Sequence, residues 1–250
     1  IQHDELPGWV AEQLGLLDPS PTVREAVAQH PRCAPGLLDR MAADGDVRVR
    51  CAVAEHPGCP PGRLEAMAGD GAVPVRRSVA SSAACPAAGL DRLASDPEVA
   101  VRRLVAGNPR CAPGRLRAMT DDVDLLVAAT AAGNPSCPAA RLEQMARHAE
   151  IFVRRMVAGN AACPRPALQA LAADREAHVR YAVANHPGCP PDVLAALAAD
   201  VIADVRAAVA GNPGCPPSLL PGLARDPDPL VPPAVAAHPA CPTTLRERVT

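Results

Sequence analysis

Shifting this sequence by 26 residues lays it on top of itself, and that period constrains what the chain can fold into more than any other feature. Cysteine marks it most cleanly: Cys33, Cys59, Cys85, Cys111, Cys137, Cys163, Cys189, Cys215 and Cys241 are spaced by 26 without a slip. Nine repeats follow, beginning at Val23, Val49, Val75, Val101, Val127, Val153, Val179, Val205 and Val231, the last cut short at Thr250. A fixed period in this range belongs to stacked arrays, in which each unit buries its apolar face against its neighbours. Chain length then measures repeat number rather than the size of a central core. Residues 1–22 lack the full repeat and are expected to form an amino-terminal cap, with Trp9, Leu14 and Leu17 covering the open end of the first unit.

Within a repeat the cysteine is usually followed by proline, then by a leucine five residues after the cysteine and a Met or Leu three further on, as in Cys189, Pro190, Leu194 and Leu197. Proline at the first helical position costs no hydrogen bond, and an i, i+3 apolar pair fits a short helix facing inward. That helix ends near an aspartate (Asp44, Asp70, Asp96, Asp122, Asp174, Asp200, Asp226), which is expected to cap the helix after it. The second helix carries Val-Arg-x-Ala-Val-Ala and stops at Asn-Pro or His-Pro, because a residue before proline is pushed out of α geometry. Gly107, Gly133, Gly159 and Gly211 just before the stop suit a helix carboxyl end. Two helices and two tight turns use up the repeat and leave no room for a strand. The second helix, at about two turns, is expected to be partly 3₁₀.

The unit VRxAVAxNPxCPxxxLxxLAxD, running in register over residues 23–250, resembles the leucine-rich repeat variant family. The resemblance implies an all-α, right-handed solenoid or superhelix of alternating α and short 3₁₀ helices, without β-sheet. It implies no reaction, since a fold does not carry an activity. A member of that family holds an iron–sulfur centre in an amino-terminal cysteine cluster; residues 1–22 contain no cysteine, so no such centre is expected here.

The aromatic residues are Trp9, Phe152 and Tyr181 alone, so the interior must be a thin layer of Ala, Val, Leu and Met. All 25 basic residues are arginine, which suggests a GC-rich bacterial genome. A net charge of −2 gives no sequence-independent pull toward nucleic acid or an anionic membrane. No stretch approaches the ~18 apolar residues of a membrane span and the start has no signal-like pattern, so a cytoplasmic location is expected. Stacked helices lie roughly 8–10 Å apart, beyond the usual disulfide Cα separation of about 4.4–6.8 Å. Equivalent cysteines should therefore stay reduced. Cysteines recurring singly also lack the paired spacing of zinc or iron–sulfur ligands, so neither metal nor cofactor is expected. Cys51 stands in a variable column and reads as the solvent-facing, most reactive thiol.

Two polar ladders run along the repeats. The arginine after the first Val (Arg24, Arg50, Arg76, Arg102, Arg154, Arg180, Arg206) points toward a neighbouring helix, where a cation needs a partner. The repeat aspartate supplies one: the complete repeat that has Ala128 in place of this arginine also has His148 in place of the aspartate. The Asn/His ladder (His30, His56, Asn108, Asn134, Asn160, His186, Asn212, His238) reads as turn-satisfying hydrogen bonds between repeats, because Asn substitutes poorly for a metal-binding or titrating imidazole. No Ser/His/Asp grouping, phosphate-binding glycine loop or paired-carboxylate motif points to an enzyme. What remains is the variable face of the second helices: Arg48, Cys51 and Glu55; Arg77 and Ser81; Arg103; Phe152 and Arg155; His178, Tyr181 and Asn185. Arginine with aromatic residues is the chemistry enriched at binding hot spots. The expectation is a non-catalytic scaffold recognising a protein or peptide through Arg48, Arg77, Arg103, Phe152, Arg155, His178 and Tyr181. The alternative is nucleic-acid binding through the same local arginines and aromatics.

Overall fold

A computed structural model describes residues 16–249. Trp9 and Leu14 lie outside the described residues. Leu17 is 77% exposed rather than packed over the first repeat. Its register explains this, since Ala43, Gly69, Ser95, Asp121, Arg147, Ala173, Ala199 and Arg225 hold the same place in later repeats and all face water. The bonding pattern of the array begins one residue later, at Asp18, whose carboxylate accepts the Ser20 amide at 2.8 Å as the repeat aspartates do two residues on.

Longer and shorter helices alternate, and no strand occurs among the described residues. The longer ones are α1 (Pro21–Gln29), α3 (Val47–Glu55), α5 (Val73–Ser81), α7 (Val99–Gly107), α9 (Leu125–Gly133), α11 (Ile151–Gly159), α13 (Ala177–Ala184), α15 (Ala203–Gly211) and α17 (Val231–Ala237). The shorter ones are α2 (Pro35–Met41), α4 (Pro61–Met67), α6 (Ala87–Leu93), α8 (Pro113–Met119), α10 (Ala139–Met145), α12 (Arg165–Ala172), α14 (Pro191–Leu197), α16 (Leu220–Leu223) and α18 (Thr243–Val249).

The chain divides into two compact units, residues 1–127 and 128–250. In the first, α1 packs on α3, α3 on α5 and α5 on α7; in the second, α11 packs on α13, α13 on α15 and α15 on α17. Each unit is therefore a solenoidal stack of two-helix repeats. The seams are made of small side chains. Val49, Val53, Ala54 and Leu64 in the first unit, and Val153, Val157, Ala158 and Leu142 in the second, are fully buried. Alanine at the seam brings neighbouring helices close, and the leucine of the shorter helix closes the layer from the other side.

Three local expectations are corrected. The Val-Arg helix, expected to be partly 3₁₀, is α and, up to α15, is the longer of the pair in its repeat because it starts two residues before the repeat valine; α17 starts at Val231 itself and matches α18 at seven residues, and Asp46 caps α3 by accepting the Arg48 amide. Among the described residues 3₁₀ geometry appears instead in the shorter-helix position, at Pro217–Leu219. Pro221 has no N–H to offer the Pro217 carbonyl, which instead receives the Leu220 amide in a tighter i→i+3 bond. The repeat aspartates do not cap the following helix. Asp44, Asp70, Asp96, Asp122, Asp174, Asp200 and Asp226 each accept the amide two residues on, closing the turn just ahead of the cap. Finally, no glycine among the described residues has positive φ. Most of the longer helices stop on an extended Asn or His cap, as at Asn108 with φ −70° and ψ 127°, whereas α13 ends on Asn185, still in the α region at φ −84° and ψ −5°. Asn160 and Ser82 are extended too, although alanine rather than proline follows them. Proline accompanies the break without being needed for it.

Candidate functional site

The arginine ladder is a bonded structure. In Arg154 the guanidinium Nε donates to Asp174 Oδ2 at 2.6 Å and Nη2 donates to Oδ1 at 3.0 Å, a two-pronged match to the carboxylate. Its Nη1 donates to the backbone carbonyls of His148 and Ala149, in the turn of the preceding repeat. The same fork joins Arg24 to Asp44, Arg50 to Asp70, Arg76 to Asp96, Arg102 to Asp122, Arg180 to Asp200 and Arg206 to Asp226. Where the pair is missing, His148 keeps the turn: its Nδ1 accepts the Glu150 amide at 3.1 Å, and Ala128 removes the cation that would have lacked a carboxylate. These arginines are used up inside the fold.

The Asn/His ladder is also structural. Asn160, 2% exposed, donates Nδ2 to the Ala132 carbonyl at 2.6 Å and the Asn134 carbonyl at 2.8 Å, and its Oδ1 accepts the Ala162 amide at 2.8 Å. His186 does the same work with a ring: Nδ1 accepts the Gly188 amide, so Nε2 bears the hydrogen and donates to the Asn160 carbonyl. Free interchange of Asn and His along the ladder follows. Asn160→Ala should cost about 1–3 kcal/mol by leaving buried partners unmet, while Asn160→His should stay within about 1 kcal/mol of the parent chain in urea unfolding. Equal losses for the two variants would remove the equivalence.

All ten cysteines are unpaired, and nine are buried. Burial pushes the thiols of Cys59, Cys85, Cys111, Cys137 and Cys189 up to about 11 and that of Cys163 to about 12, which keeps them protonated and unreactive. Cys51, expected at the surface, is half-buried. Pro74, Arg77 and Ser78 of α5 share its hollow and shield it, and burial raises its thiol as well. Among the described residues no group of three His, Cys, Asp or Glu is placed to hold a metal ion. No described helix is long and apolar enough to cross a membrane.

The side chains left over lie on the variable face of the longer helices. In the first unit Arg48, Arg77 and Arg103 are exposed. Arg48 is held by its own cap, Asp46, at 3.3 Å. In the second unit Phe152 is 37% and Tyr181 46% exposed. The Arg155 guanidinium lies over the Phe152 ring at 5.5 Å, a cation–π contact one helical turn long. His178 is exposed one turn before Tyr181 on α13. The two pairs sit on adjacent helices, and Tyr181 looks onward to the next repeat. With Asn185, Asp204, Ala207, Gly211 and Leu230 it lines a hollow of about 310 Å³. Sequence reasoning misses Asp204 and Leu230 because they stand at helix starts, three positions before the Tyr181 column. A comparison of whole columns finds them, since Phe152, His178, Asp204 and Leu230 are four different residues at one register.

Stacked two-helix repeats, two internal polar ladders and one variable face define a helical-repeat scaffold. The Leucine rich repeat variant family model matches residues 21–46, 47–71, 177–201 and 203–228, and these repeats are of that family's kind. The Arg–Asp and Asn/His bonds recur with the same register in repeats between them. A solved structure described as a leucine-rich repeat variant with a novel repetitive protein structural motif is similar, at 26% identity and a TM-score of 0.58, over 93% of this chain and 87% of that one. The X-ray structure of YIBA_ECOLI is similar at 17% identity and a TM-score of 0.44, over 93% of this chain and 92% of that one. No curated protein matches the sequence.

Proposed function

We propose that the chain is a non-catalytic scaffold that binds a protein or peptide along the variable face of its longer helices. One observation carries this reading: Phe152 and Tyr181 stand half out of the surface in an array whose seams are filled by Val, Ala, Leu and Met. Neither ring closes a core. Phe152 carries Arg155 on its face, and Tyr181 walls a hollow with an apolar floor and a carboxylate, a shape suited to one side chain of a partner. Tyr181→Ala should weaken partner binding by at least ~2 kcal/mol, while stability in urea stays within roughly 0.5 kcal/mol. Leu168→Ala, at a fully buried position, supplies the unfolding control. Should Tyr181→Ala unfold the chain as the control does, the ring is packing and the reading fails.

Nucleic acid is the second reading, favoured by Arg77, Arg103 and Arg155, which stand outside the Arg–Asp ladder, and opposed by the net charge of −2. Salt separates the two. Phosphate contacts make affinity fall steeply between low and moderate ionic strength, whereas a hollow built on Tyr181 and Leu230 holds its partner with little change.

A further inference from the structure

The hollow beside Tyr181 has a counterpart of different chemistry. In the first unit a hollow of about 350 Å³ stands in the same register, with Cys51, Glu55, Pro74 and Arg77 in the places of Tyr181, Asn185, Asp204 and Ala207. The joint between longer helices is thus a recurring feature of the repeat, and the variable columns decide what each joint accepts. The first-unit joint balances its own charge. Ser78, 7% exposed, donates Oγ to Glu55 Oε1 at 2.7 Å, and Arg77 lines the same hollow as that carboxylate.

The second-unit joint is left unbalanced. Its lining holds one carboxylate, Asp204, and no cation. Asp204 is exposed in the first turn of α15, and among the described residues it makes no ion pair and its carboxylate accepts no hydrogen bond. The ladder arginines of the two repeats are already committed, Arg180 to Asp200 and Arg206 to Asp226, each at 2.6 Å. Asn185 donates Nδ2 to the Tyr181 carbonyl at 3.0 Å, which leaves its side-chain oxygen as an acceptor. The column that carries Arg77, Arg103 and Arg155 carries Tyr181 here and Ala207 in the next repeat. This joint therefore offers a ring and acceptor oxygens where other repeats supply a guanidinium.

We propose that this hollow seats an arginine side chain of a bound protein or peptide segment, its guanidinium against the Tyr181 ring and paired with the Asp204 carboxylate. The proposal rests on the reading that Tyr181 meets a partner, and it names what the partner presents. A guanidinium is planar, always charged and rich in donors, so it can lie on an aromatic face and still give N–H groups to a carboxylate. The chain uses both contacts itself: Arg155 lies over Phe152 at 5.5 Å, and Arg154 is forked to Asp174. About 310 Å³ is at the small end of ligand sites, room for one long side chain. An acidic side chain would instead meet the Asp204 charge and the Asn185 oxygen. A single charge pair keeps salt dependence shallow beside that of a phosphate backbone, so salt still separates this occupant from nucleic acid.

The test uses the whole chain and two tripeptides, Gly-Arg-Gly and Gly-citrulline-Gly, each acetylated and closed with a methylamide. Citrulline keeps the length and planar end of arginine and lacks its charge. Backbone amide shifts followed by NMR should move at Tyr181, Asp204 and Ala207 with the Arg peptide, which should bind at least about tenfold more tightly than the citrulline peptide, the weight of one charged hydrogen bond. Asp204→Asn, a change at an exposed position, should bring the two peptides to within about twofold of each other. Equal affinity on the unaltered chain overturns the proposal, as does an Arg preference that survives Asp204→Asn, or the absence of shifts at these amides with the Arg peptide at tens of millimolar. The two readings fail separately. Tyr181→Ala weakening a protein partner while the two peptides bind alike leaves the scaffold reading standing and this one overturned. Charge-selective Arg-peptide binding here, in a chain whose partner is indifferent to Tyr181→Ala, does the reverse.

Discussion

Asp174→Ala is expected to destabilise the second unit by about 3–5 kcal/mol, among the largest effects of any single side chain in this protein. The magnitude comes from what stays behind. The Arg154 and Asp174 side chains are 7% and 8% exposed, so removing the carboxylate strands a guanidinium among apolar neighbours with only the His148 and Ala149 carbonyls to face. Arg154→Met together with Asp174→Ala should recover part of the loss, because the apolar replacement brings no buried charge. A double-mutant cycle in urea reads the coupling directly. Additive losses would mean that the two groups do not act on each other and would return Arg154 to the ligand-binding candidates.

Acid should unfold the protein through the same ladder. All seven repeat aspartates are held below the ordinary carboxylate range. For Asp44, Asp122, Asp200 and Asp226 the fork from arginine is the main cause; for Asp70, Asp96 and Asp174 burial, the largest single influence, pushes upward, and the arginine and the turn amide together outweigh it. A depressed folded value means that each pair contributes fully above the unfolded carboxylate value of about 3.9 and loses its contribution as pH falls through the folded value. Stability should therefore be level near neutrality and drop below about pH 4, each carboxylate adding up to about 1.4 kcal/mol per pH unit to the slope. Urea midpoints measured from pH 7 to pH 2.5 check this. A midpoint that stays level to pH 3 would mean that the forks do not bind protons differently on unfolding.

Several of these partners are legible in the amino-acid pattern alone. The Arg–Asp pairing is, because Ala128 and His148 depart from the pattern together, and a charge buried at a seam cannot lose its partner alone. The Asn/His rung is, because two side chains so different in size share one donor and one acceptor. The role of the repeat aspartate is not, since turn closure and helix capping ask for the same residue type and differ by two positions in register. Helix length is hidden for another reason: α3 starts at Val47, two residues ahead of the repeat Val49, and the residue at that start changes from repeat to repeat (Val47, Leu125, Ile151, Ala177), so it stands outside the Val-Arg signature. Tyr181 stands out by its rarity, while the hollow beside it depends on Ala207 and Gly211 being small, and small residues are too common here to draw notice.

Each repeat arginine grips its own aspartate and the turn behind it, and each Asn or His reaches one unit back, so the bonding rule names neighbours by relative position and never by number. A recombination event that duplicates or deletes one whole unit within a stack hands every group a partner of the same kind. Loss of any other length tears both ladders at once. Inheritance can thus lengthen or shorten such an array cheaply, and what gives a unit its individual address is its irregularities: Ser82 in one, Ala128 with His148 in another, Tyr181 in a third.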